Sequence, residues 1–139
     1  MAKNIAIGFD GSDSSRRALQ EAMRLALLDK ANLSVITIEE LPRYPVTVGE
    51  IIEEQETVNK HIEALHKEAV DIARQHGLEI KTITRIGHPA KGLVDYVQET
   101  KPDLLVIGHT GQSAIWGTFL GTTADRVIRH AVCSVLVVR

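Results

Sequence analysis

Short apolar runs alternate with longer stretches of helical periodicity, and no other feature of this chain limits its possible folds as strongly. Residues 5–9 form an apolar run that stops at the turn Asp10-Gly11-Ser12. Residues 13–28 read as a helix with Ala18, Ala22, Leu25 and Ala26 on one face. Ser12 or Asp13 can cap it through a side-chain oxygen. Residues 33–38 read as a second strand, followed by a loop over 39–49 broken by Pro42 and Pro45. Residues 50–76 predict the longest helix, on the stripe Val58, Ile62, Leu65, Ala69 and Ile72. Its acidic start and basic end suit the helix dipole, and Gly77 can take the left-handed conformation that stops it.

A third strand is expected over 78–85. Pro89 then falls in the first turn of a helix over 90–100, as its fixed φ favours. Residues 104–107 read as a fourth strand, 108–122 as a glycine-rich loop, 123–131 as a short helix and 135–138 as a fifth strand. The resulting order, β-α-β-α-β-α-β-α-β, implies a parallel sheet with helices on both faces and right-handed crossovers. The runs LLVIG and SVLVV are nearly continuous, as strands covered on both faces should be. The length of 139 residues suits one domain over 1–139, and no linker or repeat divides it. Ligands of such sheets bind beyond the carboxyl ends of the strands. That rule directs attention to residues 8–13, 38–49, 85–89 and 108–123.

One pattern there carries chemistry: Gly108-x2-Gly111-x9-Gly121-Thr122. Gly108 would let a ligand ring or sugar approach the backbone, and Gly111 would let the loop turn its N–H groups inward. Gly121 and Thr122 would open a helix whose free amides and hydroxyl make an anion site. Asp10 offers a carboxylate to an adenine amino group or a ribose hydroxyl; alone it would read as closing the turn beside Gly11, and the glycine loop shifts the reading to ligand contact.

With these residues in place, the chain resembles the universal stress protein family in its ATP-binding branch, over residues 3–139. The Asp10-Gly11-Ser12 turn, the glycine loop and the closing Val-Leu-Val-Val strand carry the resemblance. It implies an α/β Rossmann-like fold, a doubly wound five-stranded parallel sheet of order 3-2-1-4-5. It also implies a regulatory, stress-response protein that binds ATP, ADP or AMP, with Mg2+ through the phosphates. Gly8, Phe9, Asp10, Ile38, Ile107, Gly108, Thr110, Gly111, Gly121, Thr122 and Thr123 would then line the nucleotide site. Thr110 stands where relatives often carry His or Arg, and no Lys or Arg occurs from 108 to 125. Phosphate contacts would therefore rest on backbone amides, hydroxyls and a metal ion. The alternative is a dimeric adaptor of the same fold that has lost nucleotide binding.

Other classes fit less well. There is no Walker A Gly-Lys-Ser/Thr, no GxGxxG after the first strand and no GxSxG elbow. The SDSS run after strand one is better explained by helix capping than by a flavodoxin-type phosphate loop. No acid–base pair or arginine finger stands by the loop, so at most slow ATP hydrolysis is expected. Six histidines show no metal-ligand spacing. His61, His66, His76 and His130 read as solvated helix residues. His88 and His109 fall at the ligand edge, where His109 could meet a phosphate or face solvent. Sixteen Lys+Arg against eighteen Asp+Glu leave no basic excess for nucleic acid. No apolar run approaches the ~20 residues that span a bilayer. With no export signal and a single cysteine, Cys133, a reducing cytoplasmic location is expected. The uncharged fifth strand, as a sheet edge, predicts a homodimer through residues 134–139.

Overall fold

The computed structural model describes residues 2–40, 47–110 and 120–139. Nine elements follow one another among them: β1 (Asn4–Gly8), α1 (Asp13–Asp29), β2 (Asn32–Glu39), α2 (Val48–Gln75), β3 (Ile80–Ile86), α3 (Pro89–Thr100), β4 (Leu104–Gly108), α4 (Thr122–His130) and β5 (Ser134–Val138). The strands form one parallel sheet in the order β3-β2-β1-β4-β5, as expected.

Strand alternation divides the apolar residues between two cores. Ile5, Ile7, Leu33, Val35 and Val106 face α1 and α2, while Ala6, Ile36, Leu105 and Ile107 face α3 and α4. On the first side Ala18, Ala22 and Ala26 of α1 are fully covered; small side chains there seat that helix close to β1 and β4. Order reverses between β1 and β4, so the crevice of the sheet opens where the segments after these two strands separate.

Some boundaries differ from the sequence reading. The longest helix begins at Val48, because Thr47 and Glu50 form a reciprocal capping box. The third strand starts at Ile80 rather than 78. Leu78 belongs to the helix stop: its N–H reaches the Ala73 carbonyl, the Gly77 N–H reaches that of Arg74, and Gly77 has φ +73°. This is a Schellman end, and Leu78 and Ala73 share the first core.

Candidate functional site

The segment after β1 folds into a compact turn. Asp10 Oδ1 accepts the Ser12 N–H at 2.9 Å, and Gly11 turns the backbone at φ +80°. Ser12 caps α1 by accepting the Ser15 N–H at 3.1 Å, while the Ser15 hydroxyl donates to the Ser12 carbonyl at 3.0 Å. The serines therefore serve the helix start, as the capping explanation expects. Asp10 does close its turn through one oxygen, whatever else that carboxylate touches.

Ser14 joins this turn to the segment after β4. Its buried Oγ accepts the Thr110 N–H at 3.3 Å and lies 3.5 Å from His109 Nδ1. The His109 N–H donates to the Val138 carbonyl of β5 at 2.9 Å, and its own carbonyl accepts the Gly121 N–H at 2.7 Å. One short chain of bonds thus connects the start of α1, the end of β4, the end of β5 and the start of α4. His109 is half-buried against Ser14, instead of standing in solvent. Ser14 was not among the expected site residues; lying past the cap, it has no sequence signature apart from the helix surface.

The other expected residues fall into three groups. Phe9 and Ile107 are core residues at 2% and 4% exposure, so only their backbones face the crevice. Even there the Phe9 N–H donates to Ile36 and its carbonyl accepts the Thr37 hydroxyl at 2.9 Å. Gly8, Gly108 and Ile38 are packing positions at the strand ends. A Cβ on Gly8 would sit 3.3 Å from both Leu93 methyls. A Cβ on Gly108 would strike Ser14, whose carbonyl carbon would be 2.8 Å away. The bare face of Gly108 is therefore filled by α1, which corrects the expectation that a ligand ring or sugar takes that space. Ile38 packs on Gly92 of α3, where a Cβ would meet it at 2.8 Å.

The third group opens α4. Gly121 is its N-cap and has no side chain to cap the first turn, which begins with Thr122 and Thr123. The Gly121 N–H itself is spent on His109. Gly111 lies outside the described residues, as do Pro42, Pro45, Trp116 and Phe119.

Two histidines have roles that sequence reading missed. His66 is half-buried, not solvated: its Nε2 lies 3.2 Å from Thr37 Oγ1. Since the Thr37 hydroxyl donates to Phe9, Nε2 must be the donor in that pair. Burial pushes the His66 pKa down. His88 caps α3, accepting the Ala90 N–H on Nδ1 at 3.2 Å. Among the described residues, no three His, Cys, Asp or Glu side chains are grouped to hold a metal ion. None of the described helices is long and apolar enough to cross a membrane.

Comparison with known proteins gives consistent matches. The pattern of the Universal stress protein family matches residues 1–139. A universal stress protein of Mycobacterium tuberculosis is 36% identical over 143 residues, covering 98% of this chain and 95% of the relative. A universal stress protein whose crystal structure was solved in complex with cAMP is 32% identical; its TM-score is 0.77, over 99% of this chain and 97% of that one. The universal stress protein from Archaeoglobus fulgidus, solved in complex with dAMP, is 25% identical with a TM-score of 0.65, over 99% and 98% of the two chains.

Proposed function

This chain belongs to the universal stress protein family, and from that membership we propose that it is a cytoplasmic regulatory protein that binds an adenine nucleotide, ATP, ADP or AMP. The observation that carries the reading is the junction at Ser14. It links the Asp10 turn to His109 and Thr110 after β4, and through His109 to Gly121 at the start of α4, at the reversal of strand order. Base and ribose would lie at Asp10, and the phosphates at the first turn of α4, whose N-cap is the side-chain-free Gly121. The solved relatives bound to cAMP and to dAMP support the choice of an adenine nucleotide as ligand. Magnesium would enter with the phosphates, on their oxygens.

The test is thermal. A ligand that binds only the native state raises the melting temperature by mass action. Excess ATP, ADP or AMP should raise it, and GTP should raise it less. Asp10→Asn keeps an oxygen for the Ser12 N–H but loses the charge. That variant should stay folded and weaken adenosine binding as much as ATP binding. A wild-type protein whose melting point ignores every adenine nucleotide at millimolar concentration would overturn the reading. One observation favours the adaptor alternative: no Lys or Arg lies from 108 to 125. The same null result in a protein that light scattering finds dimeric would favour that alternative.

A further inference from the structure

The groove between α3 and α4 holds a polar cluster that the site above does not use. A cavity of about 330 Å3 opens there, lined by His88, Lys91, Val94, Arg126 and His130. Thr122, Arg126 and His130 are spaced by four, so they share one face of α4. Arg126, which lines the groove, thus lies one turn along that face from Thr122 at the helix start where the phosphates were assigned.

Arg126 is held there by an unusual partner. Its Nη1 lies 3.1 Å from His88 Nε2, while Nδ1 of the same ring stands 3.2 Å from the Ala90 N–H. Both neighbours can only donate, and a neutral imidazole has one nitrogen lone pair to accept with. The ring cannot satisfy both. Arg16, Arg24, Arg74, Arg85 and Arg129 each stand within ion-pair distance of a carboxylate; among the described residues Arg126 does not. Lys91 is neutralised by Asp95 at 2.6 Å. Arg126 is exposed, and of the Lys and Arg side chains that line the groove it is the one with no carboxylate partner among the described residues.

We propose that this groove receives the outer phosphates of the bound nucleotide and that Arg126 is their cation, so the protein prefers polyphosphate nucleotides over monophosphates. The inference takes its ligand from the proposed adenine-nucleotide site. An anionic oxygen resolves the conflict at His88. Arg126 turns to the phosphate, Nδ1 accepts the Ala90 N–H unopposed, and the proton on Nε2 becomes a second donor to the anion. The cation missing from 108–125 is then supplied one helical turn further on.

Calorimetric titration of wild type, Arg126→Gln and the control Arg129→Gln with ATP, AMP and inorganic tripolyphosphate tests this. Circular dichroism verifies the fold of each. Wild type should bind ATP more tightly than AMP and should bind tripolyphosphate alone. Arg126→Gln should lose tripolyphosphate binding and weaken ATP roughly tenfold or more, leaving AMP unchanged, since a charge-assisted bond is lost. Arg129→Gln should behave as wild type. If wild type binds AMP and ATP equally, or Arg126→Gln keeps its ATP and tripolyphosphate affinity, the groove assignment fails while the nucleotide reading stands. If tripolyphosphate binds through Arg126 but no adenine nucleotide does, the nucleotide reading fails and the groove remains an anion site for free polyphosphate.

Discussion

At Gly108 the absent side chain leaves room for the protein's own backbone. The first turn of α1 fills that room, with the Ser14 carbonyl carbon 2.8 Å from where a Cβ would stand. Gly108→Ala should therefore lower stability by about 1–3 kcal/mol, the usual cost of overpacking. Removing the Ser14 side chain as well should recover only part of it, because the backbone contact remains. Urea unfolding of the single and double variants checks this; a stable Gly108→Ala protein would restore the space to a ligand. His66 gives a second residue-scale expectation. Burial lowers its pKa in the folded state, so as pH falls the unfolded chain takes up the proton first. The stability tied to neutral His66 is fully present above about 6.5, the unperturbed value, and is lost as pH falls through the lower folded value. His66→Gln retains a donor for Thr37 but does not titrate. Its unfolding free energy should depend less on pH over that window than that of wild type, and parallel pH profiles would refute the role.

Element ends show where local sequence was informative and where it was silent. The stop of α2 was readable because Gly77 is the residue type its conformation demands, at φ +73°. Its start was equally available in Thr47-x-x-Glu50, but Gly49 and the polar first turns obscured it. The stop of α1 had no such marker. Lys30 takes the left-handed conformation there, φ 53° and ψ 43°, while its N–H bonds the Ala26 carbonyl. An L side chain costs energy in that region, on the order of 1 kcal/mol. Lys30→Gly should raise the unfolding free energy by up to about 1 kcal/mol, less the extra entropy glycine brings to the unfolded chain. Chemical denaturation would measure it, and a destabilised variant would show that the lysine side chain stabilises the end in some other way.

At the scale of the molecule, the two sheet edges differ. β3 carries Lys81 and Arg85 among its residues, charges of the kind that discourage edge pairing. β5, Ser-Val-Leu-Val-Val, carries none. Its side chains are half-buried, Val135 and Val137 against one core and Leu136 and Val138 against the other, and among the described residues no strand pairs with its outer row of amides and carbonyls. A second copy about a two-fold axis would pair that row antiparallel and close the assembly. The expected species is a dimer through residues 134–139, and Val137→Lys should shift it toward monomer. Light scattering at tens of micromolar, with circular dichroism to verify folding, decides this. A monomeric wild type, or a lysine variant that stays fully dimeric, would exclude the edge as the interface.

Sequence alone determined the alternation of strands and helices, the parallel sheet and the segments at its carboxyl edge. Those features follow from local periodicity and from residue types whose backbone preferences act over a few positions. Family resemblance added the strand order, which matches the one observed. Tertiary structure decided what each residue at that edge does. Ser14 reaches Thr110 across 96 positions, and Arg126 meets His88 across 38. Phe9 and Ile107, candidates by position, face inward because strand register assigns each side chain a face. His66 reads as one more polar residue on a helix until α2 packs on β2 and places it beside Thr37. Contacts of this range leave no local trace, since periodicity records which face is buried and not what lies against it.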